Sequence, residues 1–63
     1  MKNNLKTLRI KHRYSQEYVA RKANISLRHY QKIENGESIP TLTVAINICK
    51  VFNLNIYDIF IFD

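Results

Sequence analysis

The sequence has few of the residues that stabilise small proteins by cross-linking. Its 63 residues include one cysteine, Cys49, and two well-separated histidines, His12 and His29, so the spacing offers neither an internal disulfide nor a paired metal site. We therefore expect no metal and no cofactor. Because a chain of this length buries only about 60% of its unfolded surface, helix packing has to stabilise the fold, with dimerisation as a supplement.

Long apolar runs are also missing. No stretch approaches the roughly 20 apolar residues of a membrane-spanning helix, and the opening residues MKNN do not begin a signal peptide. Together with the lone thiol, these absences predict a cytoplasmic protein. The chain offers no nucleophile with a nearby base, no converging carboxylates and no glycine-rich phosphate loop, so we do not expect an enzyme.

Glycine and proline occur once each, which leaves little room for hairpins, and apolar residues recur at helical spacing. We predict a single all-α domain over residues 1–63, built as a compact five-helix bundle with short turns. The predicted helices run from Asn3 or Asn4 to about His12, Ser15 to Asn24, Ser26 to Asn35, Thr41 to Asn53, and Asn55 or Ile56 to about Phe62.

Local signals set these boundaries. Ser15, Ser26 and Thr41 are good N-caps, whereas Asn24 and Asn53 suit the left-handed conformation in which many helices end. The predicted inner stripes are Val19, Ala20 and Ala23 in the second helix, Leu27 or Tyr30 with Ile33 in the third, and Leu42, Ala45, Ile46, Cys49 and Phe52 in the fourth.

Positive charge is concentrated in the first half of the chain. Residues 1–32 contain nine Lys or Arg and one Glu, a formal charge of +8, whereas residues 33–63 contain one Lys and four acids, a charge of −3. This asymmetry favours a polyanionic partner. A basic surface that only keeps the protein in solution explains the charge equally well.

The second and third predicted helices form a helix-turn-helix pattern. A tight turn at Asn24 and Ile25 joins them, and the small side chain of Ala20 lets them approach each other. The outer face of the third helix is then rich in side chains that bond to bases and phosphates, namely Ser26, Arg28, His29, Gln31, Lys32 and Asn35.

Motifs along almost the whole chain resemble one known family. The stretches LKTLR, SQEYVARKANIS, HYQKIENG, IPTL and FNLNIYDIF are similar in order and spacing to the Cro and phage-repressor-type helix-turn-helix regulators, also called Xre-like. The similarity runs from about Leu5 to Phe60. It implies a lambda-repressor-like DNA-binding domain whose recognition helix, about residues 26–35, enters the major groove of double-stranded DNA.

The resemblance also implies roles for single residues. Gln16 falls where the family bonds a backbone phosphate and braces the recognition helix. Arg9 and Glu34 fall on an ion pair that ties the first helix to the end of the third. With the outer face of the third helix added, the expected DNA-contacting residues are Gln16, Ser26, Leu27, Arg28, His29, Gln31, Lys32 and Asn35.

Some of these side chains have a preferred partner on DNA. Arg28 suits guanine, Lys32 suits a guanine or a phosphate, and Gln31 suits adenine if it points into the groove. Leu27 stands where the family often has a polar residue, and we expect it to touch a thymine methyl group instead.

Two other departures from the family pattern lead to structural expectations. Arg13 stands where relatives often have glycine, so we expect that turn to differ. Tyr30 replaces a smaller β-branched residue, and we expect it to tilt the third helix or to expose its hydroxyl at the DNA face.

Taken together, the residues predict a sequence-specific DNA-binding transcriptional regulator, either a repressor or a controller. Its alternative is a protein-interaction module, or an antitoxin-like partner, that uses the same fold. RNA binding is less favoured because single-strand readers usually expose an aromatic platform. We expect a homodimer formed through Tyr57, Ile61 and Phe62; the alternative is that Ile61 and Phe62 fold back over Ile10.

Overall fold

A computed structural model describes residues 1–62 of the chain and contains five α-helices there and no β-strand. The helices are α1 (Leu5–Lys11), α2 (Gln16–Lys22), α3 (Leu27–Glu34), α4 (Leu42–Phe52) and α5 (Ile56–Ile59). The all-α prediction is confirmed. In this part of the chain no helix has the length and apolar character that crossing a bilayer requires.

The predicted caps are present. The side-chain oxygens of Ser15, Ser26 and Thr41 each accept a hydrogen bond from the backbone N–H three residues on, at 3.0, 3.1 and 3.3 Å. These bonds satisfy backbone donors that the first turn of a helix leaves unpaired. Asn24 and Asn53 have φ values of 61° and 54°, the left-handed conformation expected at both positions.

The turn after α1 contains Arg13, where the sequence predicted a departure from the glycine that relatives often have. Arg13 adopts a φ of 60°, the same left-handed conformation that glycine would supply. The backbone N–H of Tyr14 donates to the Arg9 carbonyl at 2.9 Å, and the Arg9 guanidinium donates to the Tyr14 carbonyl at 3.1 Å. Because these bonds hold both sides of the turn, Arg13 adopts the left-handed conformation despite its Cβ.

The end of the chain differs from the prediction. Helix α5 ends at Ile59 and not near Phe62, because Phe60 is extended, with φ −104° and ψ 141°. Phe60 forms an isolated antiparallel bridge with Asn3, and the Ile61 N–H donates to the Lys2 carbonyl at 3.0 Å. The amino-terminal segment therefore ends the helix by pairing with the backbone that would have continued it.

The core lies between α2, α3 and α4 and is closed by Leu5 of α1 and by Ile59 and Phe60. The stripe predicted for α4 was wrong at Leu42 and Ile46, which are 71% and 43% exposed. Helix α4 instead turns its Ala45, Ile48 and Phe52 face inward. Since this helix is apolar on more than one side, spacing alone did not identify the packed face.

Helices α2 and α3 pack against each other as the helix-turn-helix pattern predicts. Ala20 is 2% exposed at their contact, and its carbonyl accepts the Ile25 N–H at 3.0 Å, which closes the turn. Tyr30 and Ile33 are fully buried. The inner face of α3 is thus fixed by packing, and its opposite face is directed away from the protein.

Candidate nucleic-acid interface

The outer face of α3 carries exposed cationic and amide side chains. Arg28 and Lys32 are one helical turn apart, and both are exposed, as is Asn35 directly after the helix. The helix contains one acidic residue, Glu34, and its side chain is only 3% exposed. The face therefore presents positive charge with no carboxylate from the same helix beside it.

The start of α3 is fixed by its cap. The Ser26 hydroxyl accepts the His29 N–H at 3.1 Å, which holds the oxygen at the start of the helix and leaves its O–H free to donate. Leu27 and His29 are half-buried. The structure thus places Ser26, Arg28 and Lys32 in exposed positions along α3, with Leu27 and His29 partly covered between them.

A buried carboxylate lies beneath this face. Arg9 donates to Glu34 through Nε to Oε1 at 2.8 Å and through a second nitrogen to Oε2 at 3.3 Å. The two side chains are 14% and 3% exposed, so the pair is largely removed from water. Two further bonds reach the same carboxylate, from the Tyr30 hydroxyl at 2.9 Å and from Gln16 Nε2 at 2.8 Å.

These bonds determine the ionisation of Glu34. Burial opposes the charged form, but the hydrogen bonds from Arg9, Gln16 and Tyr30 outweigh it and lower the pKa of Glu34 below its usual range. Burial, together with the neighbouring carboxylate, raises the pKa of Tyr30 well above its ordinary value. At neutral pH the site therefore contains a carboxylate, a guanidinium and a neutral phenol.

The Tyr30 hydroxyl does not reach the DNA face, so the second of the two expectations for this residue is wrong. It points inward because the Glu34 carboxylate, one turn later on α3, offers a strong acceptor in the core. The residue is fully buried. The sequence showed that Tyr30 is larger than the β-branched residue usual in the family. It did not show that the Glu34 carboxylate would accept a hydrogen bond from its hydroxyl.

Gln16 and Gln31 form a contact that bridges α2 and α3. The Gln31 Nε2 donates to Gln16 Oε1 at 3.1 Å, while Gln16 Nε2 donates to Glu34. Both glutamines are half-buried. Gln31 is therefore turned toward α2, at the border of the outer face, and not directly outward with Arg28 and Lys32.

Asn3 also supports the end of α3, a role that was not predicted from the sequence. Its Nδ2 donates to the Ile33 carbonyl at 2.9 Å, and its Oδ1 accepts the Leu5 N–H at 3.0 Å. One side chain thus caps the start of α1 and the end of α3. The contact joins residues 30 positions apart, which no local motif can indicate.

An apolar surface lies near the carboxyl-terminal end of the chain. Tyr57, Ile61 and Phe62 are 76%, 44% and 51% exposed, and the rings of Tyr57 and Phe62 are 5.5 Å apart. Phe62 lines an apolar groove together with Ile39 and Leu42, which are each 71% exposed. Ile61 lines a different pocket, beside the first three residues of the chain. We call Tyr57, Phe62, Ile39 and Leu42 the apolar surface.

The fold-back considered from the sequence does not occur. Ile10 stays 59% exposed, and Phe62 lies in the groove beside Ile39 and not over α1. The exposure of Leu42 contradicts its predicted place in the inner stripe of α4, and Ile39 had been assigned no role from the sequence.

Comparisons with known proteins all identify helix-turn-helix proteins as similar to this chain. Residues 5–59 match the family model described as helix-turn-helix. MJ0272 of Methanocaldococcus jannaschii, named as an uncharacterized HTH-type transcriptional regulator, is 41% identical over 63 residues, which cover 100% of this chain and 96% of that protein. YgzD of Bacillus subtilis, named in the same way, is 37% identical over 60 residues, or 95% of this chain and 91% of its own. A similarly named regulator of Archaeoglobus fulgidus is 36% identical over 63 residues, covering 100% of this chain and 89% of that protein.

Proposed function

This chain belongs to the Cro and phage-repressor-type helix-turn-helix family of DNA-binding transcriptional regulators, and from that premise we propose that it controls transcription by occupying a specific operator. Residues 1–63 act as one domain in this proposal, with double-stranded DNA as the partner and the cytoplasm as the site of action. Regulation follows from where the protein lies on DNA and needs neither catalysis nor a cofactor. Repression is the simplest outcome, because a protein bound over a promoter excludes polymerase.

The observation that carries the proposal is the outer face of α3. Arg28 and Lys32 are exposed there, while the only acid of the helix is turned into the core against Arg9. An α-helix fits the major groove, where arginine can grip guanine O6 and N7 with two hydrogen bonds. Each such contact is worth about 1–3 kcal/mol of discrimination against other bases.

The other expected contacts position the helix on the duplex. We propose that Gln16, at the start of α2, and Asn35, after α3, donate to backbone phosphates. Ser26, Leu27, His29 and Lys32 complete the interface, with Leu27 against a thymine methyl group. Phosphate contacts fix register without reading sequence, and neutralising phosphates releases counterions.

We also propose that the functional unit is a homodimer formed through the apolar surface. Tyr57, Ile61 and Phe62 were expected at the interface, and Ile39 and Leu42 extend the same exposed area. Monomeric proteins rarely leave apolar patches of this kind open to water. A two-fold dimer would present two recognition helices to half-sites about 34 Å apart along the duplex.

Selection of bound duplexes from a random DNA pool tests the operator proposal. The expected product is an enriched palindrome with half-sites about one helical turn apart. Titration of the enriched duplex at several potassium chloride concentrations should then give a binding constant that falls linearly with salt on logarithmic axes. Failure to enrich any sequence, or binding that ignores added salt, would overturn the proposal.

A further inference from the structure

A chain of hydrogen bonds runs from the buried Glu34 carboxylate to the edge of the DNA-facing surface. Glu34 Oε2 accepts from Gln16 Nε2 at 2.8 Å, and Gln16 Oε1 accepts from Gln31 Nε2 at 3.1 Å. The carboxylate is held ionised by Arg9, whose Nε lies 2.8 Å from Oε1. The chain therefore begins at a fixed negative charge and ends at a side chain on α3.

The direction of each bond is set by chemistry. An ionised carboxylate only accepts hydrogen bonds, so the end of the Gln16 amide that faces Glu34 has to be its NH₂ group. The carbonyl end of Gln16 is then directed to Gln31. Because a carbonyl oxygen accepts hydrogen bonds, Gln31 has to donate to it through its own NH₂ group. Glu34 thus orients two amides in series, and turning either one would place two acceptors, or two donors, against each other.

This direction matters for a phosphate. A phosphate oxygen accepts hydrogen bonds, and the Gln16 NH₂ group carries a second hydrogen that the bond to Glu34 does not use. A glutamine that is free to turn would present its carbonyl oxygen to the phosphate part of the time. Glu34 and Gln31 prevent this together, because Glu34 holds the NH₂ group of Gln16 and Gln31 occupies its carbonyl, so the donor stays available before DNA arrives.

We propose that Gln31 is a positioning residue for the phosphate contact of Gln16 and not a reader of adenine. The proposal rests on the proposed function, because it assumes that Gln16 meets a DNA phosphate. Adenine is read by an amide that offers its NH₂ group and its carbonyl side by side to the base. The NH₂ group of Gln31 is instead directed back to α2.

A double-mutant cycle on DNA binding tests the assignment. The proteins are wild type, Gln31→Met, Gln16→Met and the double variant, since methionine keeps the length of glutamine without its amide. The dissociation constant for the enriched duplex is measured at one salt concentration, and urea unfolding confirms that each protein is folded. Gln31→Met should weaken binding about 3–10-fold, the equivalent of one hydrogen bond, without changing which base is preferred at any position.

The decisive comparison is made in the Gln16→Met background. There Gln31→Met should change the dissociation constant by less than about 2-fold, because the contact that it supports has gone. Equal losses in both backgrounds would overturn the proposal, and so would a changed base preference in Gln31→Met, which would make Gln31 a reader. The salt dependence of DNA binding by the wild type is measured before any variant. If the wild type shows no salt-dependent binding, the proposed function itself is overturned.

Discussion

The arginine at position 28 shows how much of the proposed specificity depends on one side chain. It is exposed on the outer face of α3, and its planar guanidinium matches the two acceptors of guanine. A phosphate contact at the same place would add affinity for every sequence. A base contact adds affinity for some sequences only, and this difference can be measured.

We predict that Arg28→Ala loses discrimination at one or two base positions, by about 1–3 kcal/mol, while binding to random DNA persists. Fluorescence anisotropy with the enriched duplex and with single-base variants of it measures this. Lys50→Ala is the matched control, since it removes an exposed positive charge from α4 and should leave every base preference intact. Equal weakening by Arg28→Ala on all duplexes would identify a phosphate contact instead.

We expect the ion pair between Arg9 and Glu34 to contribute mainly to the stability of the fold. Removing one member of a buried pair leaves the other as an uncompensated charge, which costs about 3–5 kcal/mol. We predict that Arg9→Ala loses stability of this order in urea unfolding followed by circular dichroism. Lys11→Ala, an exposed change at the end of the same helix, should stay within about 0.5 kcal/mol of wild type. An Arg9→Ala protein that unfolds like wild type would contradict this view of the pair.

Acid should weaken the fold through Glu34. Its pKa is lowered in the folded protein because the hydrogen bonds from Arg9, Gln16 and Tyr30 outweigh the cost of burial. The unfolded chain then binds the proton more readily, so the stabilisation is complete above the ordinary glutamate pKa of about 4.3 and is lost as the pH falls toward the folded value. Urea unfolding between pH 7 and pH 3 should show the advantage of wild type over Glu34→Gln shrinking from about pH 5 downward.

The exposed Glu37 provides the control for this titration. Glu37→Gln removes a carboxylate from the loop after α3 and should follow wild type throughout. A constant difference between wild type and Glu34→Gln across the acid range would mean that the carboxylate does not gain from its partners in the folded state.

At the scale of helices, the sequence predicted the features that depend on neighbouring residues and not those that depend on contacts across the fold. The caps at Ser15, Ser26 and Thr41 were predictable because each bond spans three residues. The end of α5 was not, since it depends on pairing between Phe60 and Asn3 across the fold. The packed face of α4 was also missed, because both candidate stripes are apolar and tertiary contacts choose between them.

In the candidate site, too, only some side-chain positions could be predicted from the sequence. The outward position of Arg28 and Lys32 follows from helical spacing once Tyr30 and Ile33 are taken as the inner face. The inward turn of Gln31 does not, because it depends on a partner on α2 whose own direction is set by Glu34. Spacing gives the angle of a residue around its helix, but not which hydrogen bond its side chain makes.

The turn between α1 and α2 stores strain that glycine would relieve. Arg13 has a φ of 60°, which costs a residue with a Cβ about 1–2 kcal/mol. Glycine avoids this cost but gains about 0.5–1 kcal/mol of conformational entropy in the unfolded chain. We predict that Arg13→Gly is more stable than wild type by about 0.5–1 kcal/mol, which raises the thermal midpoint by a few degrees.

A glycine placed in the preceding helix is the control. Lys11→Gly lies at the last position of α1, where helical φ is required, and should lower the midpoint in the same thermal scan. If both glycines lower it, the left-handed conformation of Arg13 is not strained.

At the scale of the whole molecule, charge and apolar area are separated along the chain. Residues 1–32, which include Arg28 and Lys32 of α3, carry a formal charge of +8, and residues 33–63, which include the apolar surface, carry −3. The molecule measures 28 × 21 × 19 Å, so in the proposed dimer two copies in contact would have centres about one molecular width apart. That separation is compatible with recognition helices about 34 Å apart if each helix lies on the far side of its protomer's centre.

We predict that Phe62→Asp produces a monomer that has lost tight binding to the palindrome but still binds a single half-site weakly. A charge in the middle of the apolar surface cannot be buried against a second copy without a large desolvation cost. Sedimentation at tens of micromolar should show a dimer for wild type and a monomer for the variant. Ile10→Asp, which alters an isolated apolar residue that is 59% exposed on α1, should leave the dimer intact. If the wild-type protein sediments as a monomer at this concentration, it does not form a dimer before it binds DNA. If Phe62→Asp binds the palindrome as tightly as wild type, the apolar surface is not part of the dimer interface.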